Sequence, residues 1–297
     1  MTKQPVAGAP HRIADGLTTI LAPNASPMTY WGTNSYILGH DTLAVIDPGP
    51  ASPEHLAALI TAIDGRTVSH ILITHSHLDH SPLAKPLSDV TGAPILAFGD
   101  STAGRSDVMV EFAATGLMGG GEGVDHDFKP DICLKDGEDI IGDGWALKAL
   151  HTPGHFGNHL TFRWENAAFT GDHLMGWATS LVSPPDGDLT DFMASCRKLA
   201  KYPIKHGFCG HGAPIEDVPQ RLKFLMSHRI GREEEILTAL TSPQTAKELT
   251  ALIYTDVAPA LLPMAERNVL AHLVDLWGRN LVAPIEELNA NSKFIRK

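Results

Sequence analysis

The sequence predicts an α/β domain followed by a smaller, mainly helical domain. In the first part, short apolar strand patterns alternate with helical ones, and the strand-like run Val68–Thr74 ends directly before four potential metal ligands. From Val218 onward the apolar residues recur at helical spacing. A chain of 297 residues is long for one small domain. We therefore expect a larger α/β domain at 1–220 and a helical domain at 221–297.

The first elements are three strands and a helix. The segments "LTTILA", "TNSYILG" and "TLAVID" have strand patterns and end at the turn signal Asp47–Pro50. Ser52 is a typical helix N-cap, and Pro53 suits the first position of a helix. The next strand, "VSHILIT", leads into the candidate ligands.

The middle of the chain contains an irregular segment and a second group of strands. Residues 98–129 include the glycine-rich run "GLMGGGEGVDHDF", for which a linker and a substrate lid are equal alternatives. The strands "WALKALHT", "HLTFRW" and "AAFTGD" follow, then a helix at Leu189–Tyr202 and a short strand into Gly210.

The C-terminal part has the element order of a winged helix. The stretch "RLKFLMSHRIGREEEILTAL" predicts a long helix, and Thr245 with Glu248 forms the capping-box pattern of a second one. The spacing of Val269 and Leu273 predicts a third, which Gly278 ends before the strand-like segment "LVAPI".

Composition excludes several classes of protein. The net charge of −11 argues against a broad basic surface for nucleic-acid backbones. We expect no membrane association, because there is no signal-like N-terminus and no apolar run of roughly 20 residues. The three cysteines are widely spaced and form no CxxC pair, so we expect a reducing cytoplasm without a disulfide framework.

Four potential metal ligands are crowded into the short stretch "HSHLDH". His75, His77, Asp79 and His80 directly follow a buried strand, the place where α/β proteins hold functional side chains rigidly. Burying four such groups without a cation carries a large desolvation penalty. A metal site is therefore a better explanation than a set of core histidines.

Three further candidates follow later strands: His155 in "HTPGH", Asp172 in "FTGDH" and His211 in "CGHGAP". Together they predict two metal ions. The first would be held by three imidazoles, the second by a carboxylate and two imidazoles, and Asp172 would bridge the ions. The predicted sets are His75, His77 and His155 for the first ion, and Asp79, His80 and His211 for the second.

Such a site predicts hydrolysis. Two divalent ions lower the pKa of a bridging water, which becomes a hydroxide nucleophile, and the ion with an open position polarises the electrophile. Asp79 is the predicted catalytic residue, because it could orient this nucleophile and later pass a proton to the leaving group. Ligands without a thiolate suit zinc, while manganese and iron remain alternatives.

HxHxDH followed by TPGH, TGD and GHG resembles the metallo-β-lactamase superfamily over most of the first 220 residues. The resemblance implies an αββα sandwich. It also implies that Asp47 in "VIDPG" supports the metal ligands from behind. His159 and His173 lie near ligands in the sequence, and we expect them to support ligands or to contact the substrate.

Differences between this sequence and other subgroups of the superfamily narrow the range of expected functions. True β-lactamases of the superfamily lack an aspartate at the position of Asp172, and flavodiiron oxidoreductases carry a glutamate at that of His77. Glyoxalase II has a different C-terminal domain. The segments "SHRIGREEEIL" and "AERNVLAHLVDLWGRNLV" resemble the winged helix of the β-lactamase-like protein 2 subgroup, whose animal member cleaves single-stranded RNA.

Two functions are compared. The leading one is a hydrolase of a small-molecule ester, thioester or lactone, which the full ligand set and acidic composition favour. The alternative is a single-stranded RNA endonuclease with weak promiscuous β-lactamase activity. The helix "PMAERNVLAHLVDL" has no stripe of Lys and Arg for a groove, so we expect the winged helix to serve packing or homodimer formation. A metal-bearing scaffold without turnover is a third, weaker interpretation.

Overall fold

The computed structural model describes residues 4–117, 119 and 123–297. Two sheets form the centre of the larger domain. In the described part of the chain the first sheet has seven strands in sequential order, antiparallel from β1 to β4 and parallel from β4 to β7. Its strands are β1 (Pro10–Ala14), β2 (Leu17–Leu21), β3 (Asn34–Leu38), β4 (Thr42–Ile46), β5 (Thr67–Leu72), β6 (Ile95–Ala97) and β7 (Ile132–Cys133).

The second sheet has the strand order β12-β11-β10-β9-β8. The pair β11 and β12 is parallel, and the other neighbours are antiparallel. Because β9 and β11 both oppose β10, the carboxyl ends of β9, β11 and β12 meet at one edge. These strands are β8 (Asp139–Ile141), β9 (Ala146–His151), β10 (Leu160–Trp164), β11 (Ala167–Gly171) and β12 (His206–Cys209).

The two sheets pack face to face. Leu38 and Ile46 of the first sheet share one buried cluster with Phe162 and Phe169 of the second. Alternate residues of a strand point to opposite faces, so each sheet also presents an apolar outer face. Helices cover these faces and give an αββα sandwich, as the resemblance implies.

Seven α-helices are described. The first two pack on the outer face of the first sheet, and α4 with the start of α5 packs on the second. Ser52 caps α1 by accepting a hydrogen bond from the amide of His55 at 3.1 Å, as its position predicts. The helices are α1 (Pro53–Ile63), α2 (Ala84–Thr91), α3 (Asp107–Ala114), α4 (Leu189–Leu199), α5 (Val218–Ala239), α6 (Ala246–Ile253) and α7 (Leu262–Gly278).

The C-terminal domain has the predicted order of helices followed by a strand. Helix α6 begins with the predicted capping box of Thr245 and Glu248. After α7 the chain forms a small hairpin of β13 (Val282–Pro284) and β14 (Phe294–Arg296). Gly278 is still helical, and Asn280 takes the left-handed conformation that ends the turn.

Helix α3 was not predicted. It lies within the irregular segment 98–129, and its Met109 and Phe112 are buried in the core of the C-terminal domain. Residues 118 and 120–122 of the glycine-rich run lie outside the described residues, so the choice between linker and lid stays open there. None of the described helices combines the length and apolarity needed to cross a bilayer. The boundary between 1–220 and 221–297 stays a prediction.

Candidate metal centre

All seven predicted ligands are buried at the carboxyl ends of strands. Four of them follow β5, and the others come shortly after β9, β11 and β12, where the second sheet presents one edge. They fall into three groups with closely spaced ligand atoms. These groups are His75, His77 and His155; His75, His80 and Asp172; and Asp79, His80 and His211.

The first predicted set brings three imidazoles together. The Nε2 atom of His75 lies 3.0 Å from Nδ1 of His77, and Nε2 of His155 lies 3.1 Å from the same Nδ1 atom. Three ring nitrogens therefore converge on one point. This is the arrangement that three imidazole ligands of a single metal ion would have.

The second predicted set combines a carboxylate with two imidazoles. The Oδ2 atom of Asp79 lies 3.1 Å from Nε2 of His211 and 3.4 Å from Nε2 of His80. Thr33 approaches the same oxygen with its hydroxyl at 3.4 Å. The ligand atoms of this set again face one another.

Asp172 lies between the two sets. Its Oδ2 atom is 3.7 Å from Nε2 of His155 and 3.3 Å from Nε2 of His211, while Oδ1 is 3.5 Å from Nε2 of His80. Oδ2 thus lies near ligands of both sets, as a carboxylate between two ions would. Gly210 is required beside it, because a Cβ atom there would lie 2.2 Å from Oδ1 of Asp172.

Hydrogen bonds on the outer side of the rings fix which nitrogen faces inward. Nδ1 of His155 donates to the carbonyl oxygen of Leu181 at 2.7 Å, and Nδ1 of His211 donates to that of Gly32 at 3.1 Å. Since a neutral imidazole has one N–H, each of these rings in its neutral form presents the lone pair of Nε2 to the centre, where a metal ion would bind.

Asp47 fixes two further ligands, as the resemblance implies. It accepts hydrogen bonds from Nδ1 of His80 at 2.9 Å and from the hydroxyl of Thr74 at 2.6 Å. The hydroxyl proton of Thr74 is thereby used, so its oxygen accepts from Nδ1 of His75 at 3.1 Å. Asp47 has a φ of 49°, a strained conformation for a non-glycine residue, which is common at functional sites.

This pattern of lone pairs fits metal ions. Nε2 of His75 and Nε2 of His155 both point at Nδ1 of His77, which could donate a proton to only one of them. Among the described residues, Oδ1 of Asp79 has no hydrogen-bond partner although it is buried, and the same holds for Oδ1 of Asp172. Buried acceptors that converge without donors need cations. The His/Asp cluster thus implies divalent metals.

The two sets differ in their affinity for protons. Burial lowers the pKa of His77 to about 3, and burial together with the neighbouring His80 and His77 holds the pKa of His75 well below its usual value. Burial has the same effect on His211, but the carboxylates of Asp172 and Asp79 outweigh it and raise the pKa to about 10. Without metal, the first set is therefore neutral, while the second holds protons.

A cavity of about 320 Å³ opens beside this cluster. Five of the seven predicted ligands line it, and so do the side chains of Met175, Trp177 and Leu181. The remaining wall includes residues of α5, α7 and the segment between them. These are His228, Arg229, Arg232, Tyr254, Val257, Leu261, Met264, Ala265 and Asn268.

The other predicted site residues lie behind the ligands. His159 is fully buried and shares a 3.0 Å hydrogen bond with the hydroxyl of Thr152, and His173 lies 3.6 Å from Sγ of Cys196. Neither of these histidines lines the cavity. A supporting role agrees with these positions, whereas direct contact with a substrate does not.

Two family descriptions match this chain. Residues 28–211 match the metallo-beta-lactamase superfamily, and residues 245–287 match the beta-lactamase associated winged helix domain. The two matched ranges lie on either side of α5.

Curated relatives cover most of the chain. This chain is 30% identical over 270 residues to the beta-lactamase-like protein 2 homolog of Caenorhabditis elegans. The aligned residues are 87% of this chain and 83% of that protein. An atrochrysone carboxyl ACP thioesterase of Pseudocercospora fijiensis is 28% identical over 246 residues, or 80% of this chain and 64% of that protein.

Solved structures agree with the fold. A metallo-beta-lactamase family protein from Thermus thermophilus superposes with a TM-score of 0.75 at 25% identity, covering 96% of this chain and 99% of the other. A beta-lactamase domain protein from Burkholderia ambifaria superposes with a TM-score of 0.80 at 20% identity. The superposition covers 99% of this chain and 95% of that protein.

Proposed function

The chain is a metal-dependent hydrolase of the metallo-beta-lactamase superfamily with an associated winged helix domain, and from this we propose that it uses two metal ions to cleave small esters, thioesters or lactones. We propose zinc for both ions, because the predicted ligands are imidazoles and carboxylates. A test of metal identity should compare zinc with manganese and iron.

The cavity is the observation that carries this proposal. Its wall combines the predicted ligands with apolar side chains such as Met175, Leu261 and Met264. An apolar chamber of this size suits a small organic molecule, since most ligand sites are lined by apolar groups with a few polar groups that fix orientation. A substrate carbonyl placed at the ligands would be flanked by hydrophobic surface.

The metal ions, Asp79 and the cavity wall would have different roles in hydrolysis. Bound divalent ions would supply a hydroxide at neutral pH and polarise the carbonyl oxygen. Oδ1 of Asp79 has no hydrogen-bond partner among the described residues, so it is free to orient the attacking water. The same carboxylate would then return a proton to the leaving group, and the buried wall would exclude competing water.

Among these acyl substrates we favour thioesters. The relative from Pseudocercospora fijiensis is named as an acyl-carrier thioesterase, and 80% of this chain aligns with it. A thioester carbonyl needs the same nucleophile and the same polarisation as an ester carbonyl, so the cluster would serve either. Esters and lactones therefore belong in the same test panel.

Cleavage of single-stranded RNA is the second candidate. The winged helix match supports it, because winged helices occur in proteins that bind nucleic acids. The packing of α7 opposes it: eight of its residues are buried, among them Val269 and Leu273, and Met264 and Asn268 line the cavity. A helix used in this way offers little surface to a groove.

The test compares zinc-loaded wild type with Asp79→Ala on aryl thioesters, esters, lactones, β-lactams and single-stranded RNA. We expect turnover of acyl substrates and its loss in Asp79→Ala and His155→Ala, with folding retained in circular dichroism. Wild-type activity in a variant that has lost its metals would refute the proposal. RNA cleavage that Asp79→Ala abolishes, without acyl turnover, would establish the second candidate.

Location and assembly complete the proposal. We propose a reducing cytoplasm, which the three unpaired cysteines support. We also propose that the substrate is a small molecule and that a homodimer is the assembly to test first. Sedimentation of the metal-loaded protein measures whether it is a homodimer.

A further inference from the structure

We propose that Arg229 binds a negatively charged group of the substrate, which would make the preferred substrates anionic acyl compounds, with a carboxylate remote from the scissile carbonyl. This inference rests on the proposed acyl hydrolysis, since it adds to the same cavity a second point of recognition. Arg229 comes from α5 of the C-terminal domain and lines the cavity that also contains the predicted metal ligands.

Arg229 is a buried cation without an anionic partner. Only 3% of the residue is exposed. Its guanidinium donates to the side-chain oxygen of Asn268 at 2.9 Å and to the carbonyl oxygen of Ser180, and it lies 5.3 Å from the ring of Phe192. Among the described residues no Asp or Glu forms an ion pair with it, and its Nε–H has no acceptor.

Such a charge is unusual in a folded protein. A buried ion is strongly destabilising unless it is paired, and neutral oxygen atoms and one aromatic face offset this penalty only in part. Burial lowers the pKa of Arg229 to about 10, so the group stays charged at neutral pH. The chain therefore maintains a positive charge beside an apolar cavity.

The neighbouring arginine provides a contrast. Arg232 lies about one turn further along α5 and lines the same cavity, but it forms an ion pair with Glu235 and lies 4.1 Å above the ring of Tyr254. Its charge is thereby compensated within the protein. Arg229 is left as the uncompensated group, so a ligand is the missing partner that would complete its environment.

Three kinds of group in the wall of the cavity define the substrate. Metal ligands would take the carbonyl, the apolar wall would contact an aliphatic spacer, and Arg229 would form charge-assisted hydrogen bonds with the anion. Carboxylate geometry matches two parallel guanidinium N–H groups. Acyl chains that end in a carboxylate satisfy all three requirements.

The experiment uses matched substrates that differ only in charge. Phenyl thioesters of malonic, succinic, glutaric and adipic acid, each with a free terminal carboxylate, are compared with the corresponding terminal amides on the zinc-loaded full-length enzyme. We expect kcat/KM to be about 10- to 100-fold higher for the carboxylate of at least one chain length, the range of one charged hydrogen bond.

Two variants assign this preference to Arg229. Arg229→Gln removes the charge, and we expect the ratio of carboxylate to amide to fall towards one. Asn268→Asp places a carboxylate where the Asn268 oxygen accepts from Arg229, so it neutralises the guanidinium in place and should also remove the preference. Lys223→Gln is the control, because Lys223 is an exposed cation of the same helix outside the cavity.

The ratio separates recognition from a structural role. A residue that only supports the fold would lower both rates equally and leave the ratio unchanged, and that result in both variants would overturn the proposal. Equal rates for all carboxylate and amide pairs in the wild type would overturn it too, while leaving acyl hydrolysis intact. Absence of turnover on every thioester, ester and lactone would instead refute the proposed function itself.

Discussion

His155 and Leu181 are joined by a short hydrogen bond, 2.7 Å from Nδ1 of the ring to the carbonyl oxygen. The segment that contains Leu181 is itself held from the C-terminal domain. Arg229 donates to the carbonyl oxygen of Ser180, and Asn268 accepts from the amide of Val182 at 3.2 Å. The orientation of a predicted metal ligand thus depends on side chains of α5 and α7.

Replacing Asn268 with alanine should therefore weaken metal binding without removing a ligand. The loss of its bond to Val182 would free the segment that fixes His155, and outer hydrogen bonds of this kind change metal affinity by about 10-fold or more. Competition with a chromophoric chelator measures the affinity. Asn291→Ala, at an exposed position, is the matched control. Unchanged affinity in Asn268→Ala would disprove the link.

Asp47→Ala should lower metal affinity by about 10- to 100-fold. The substitution would release the ring of His80 and the hydroxyl of Thr74, which in turn positions His75, so ligands of both predicted sets would be affected. Titration of zinc into the metal-free protein measures this change. The exposed Asp41→Ala serves as the control, and an equal loss in both variants would rule out a specific effect.

Metal binding should depend on pH at one predicted set only. A raised pKa means that His211, with a pKa of about 10, holds a proton at neutral pH that metal must displace. Affinity there should rise about 10-fold per pH unit for each displaced proton, whereas His77, with a pKa of about 3, has none to lose. Stepwise chelator titrations at pH 6, 7 and 8 should show one sensitive and one insensitive ion. Two ions with the same slope would contradict this.

Phe112→Ala should destabilise the whole protein by about 3 to 5 kcal/mol. Phe112 belongs to α3 but is buried in the core of the C-terminal domain, so its removal leaves a cavity between elements that are distant in the sequence. Urea unfolding followed by fluorescence measures the free energy. Val110→Ala, 54% exposed on the same helix, should change it by less than about 0.5 kcal/mol.

The sequence predicts the cluster well because its information is local. His75 and His155 each follow an apolar strand in a turn, and a ligand in such a place is recognisable from its neighbours alone. The same holds for Ser52 and Thr245, whose caps depend on residues three positions away. Their geometry needs no knowledge of distant elements.

The missed features depend on packing between distant segments. Helix α3 is short, and Met109 and Phe112 are buried against helices that lie more than a hundred residues further along the chain. Helix α2 contains Pro86 and little apolar periodicity, so only its place on the first sheet explains it. The contribution of Arg229 to the cavity is invisible for the same reason.

The cavity joins side chains from two separately matched regions of the sequence. The first region carries the groups that would perform the chemistry, the second contributes wall residues such as Met264, and Arg229 comes from α5 between the two regions. Substitutions of wall residues such as Leu261 and Met264 can therefore change which molecules are accepted while the predicted metal ligands stay the same. A protein engineer could alter substrate choice through the same side chains.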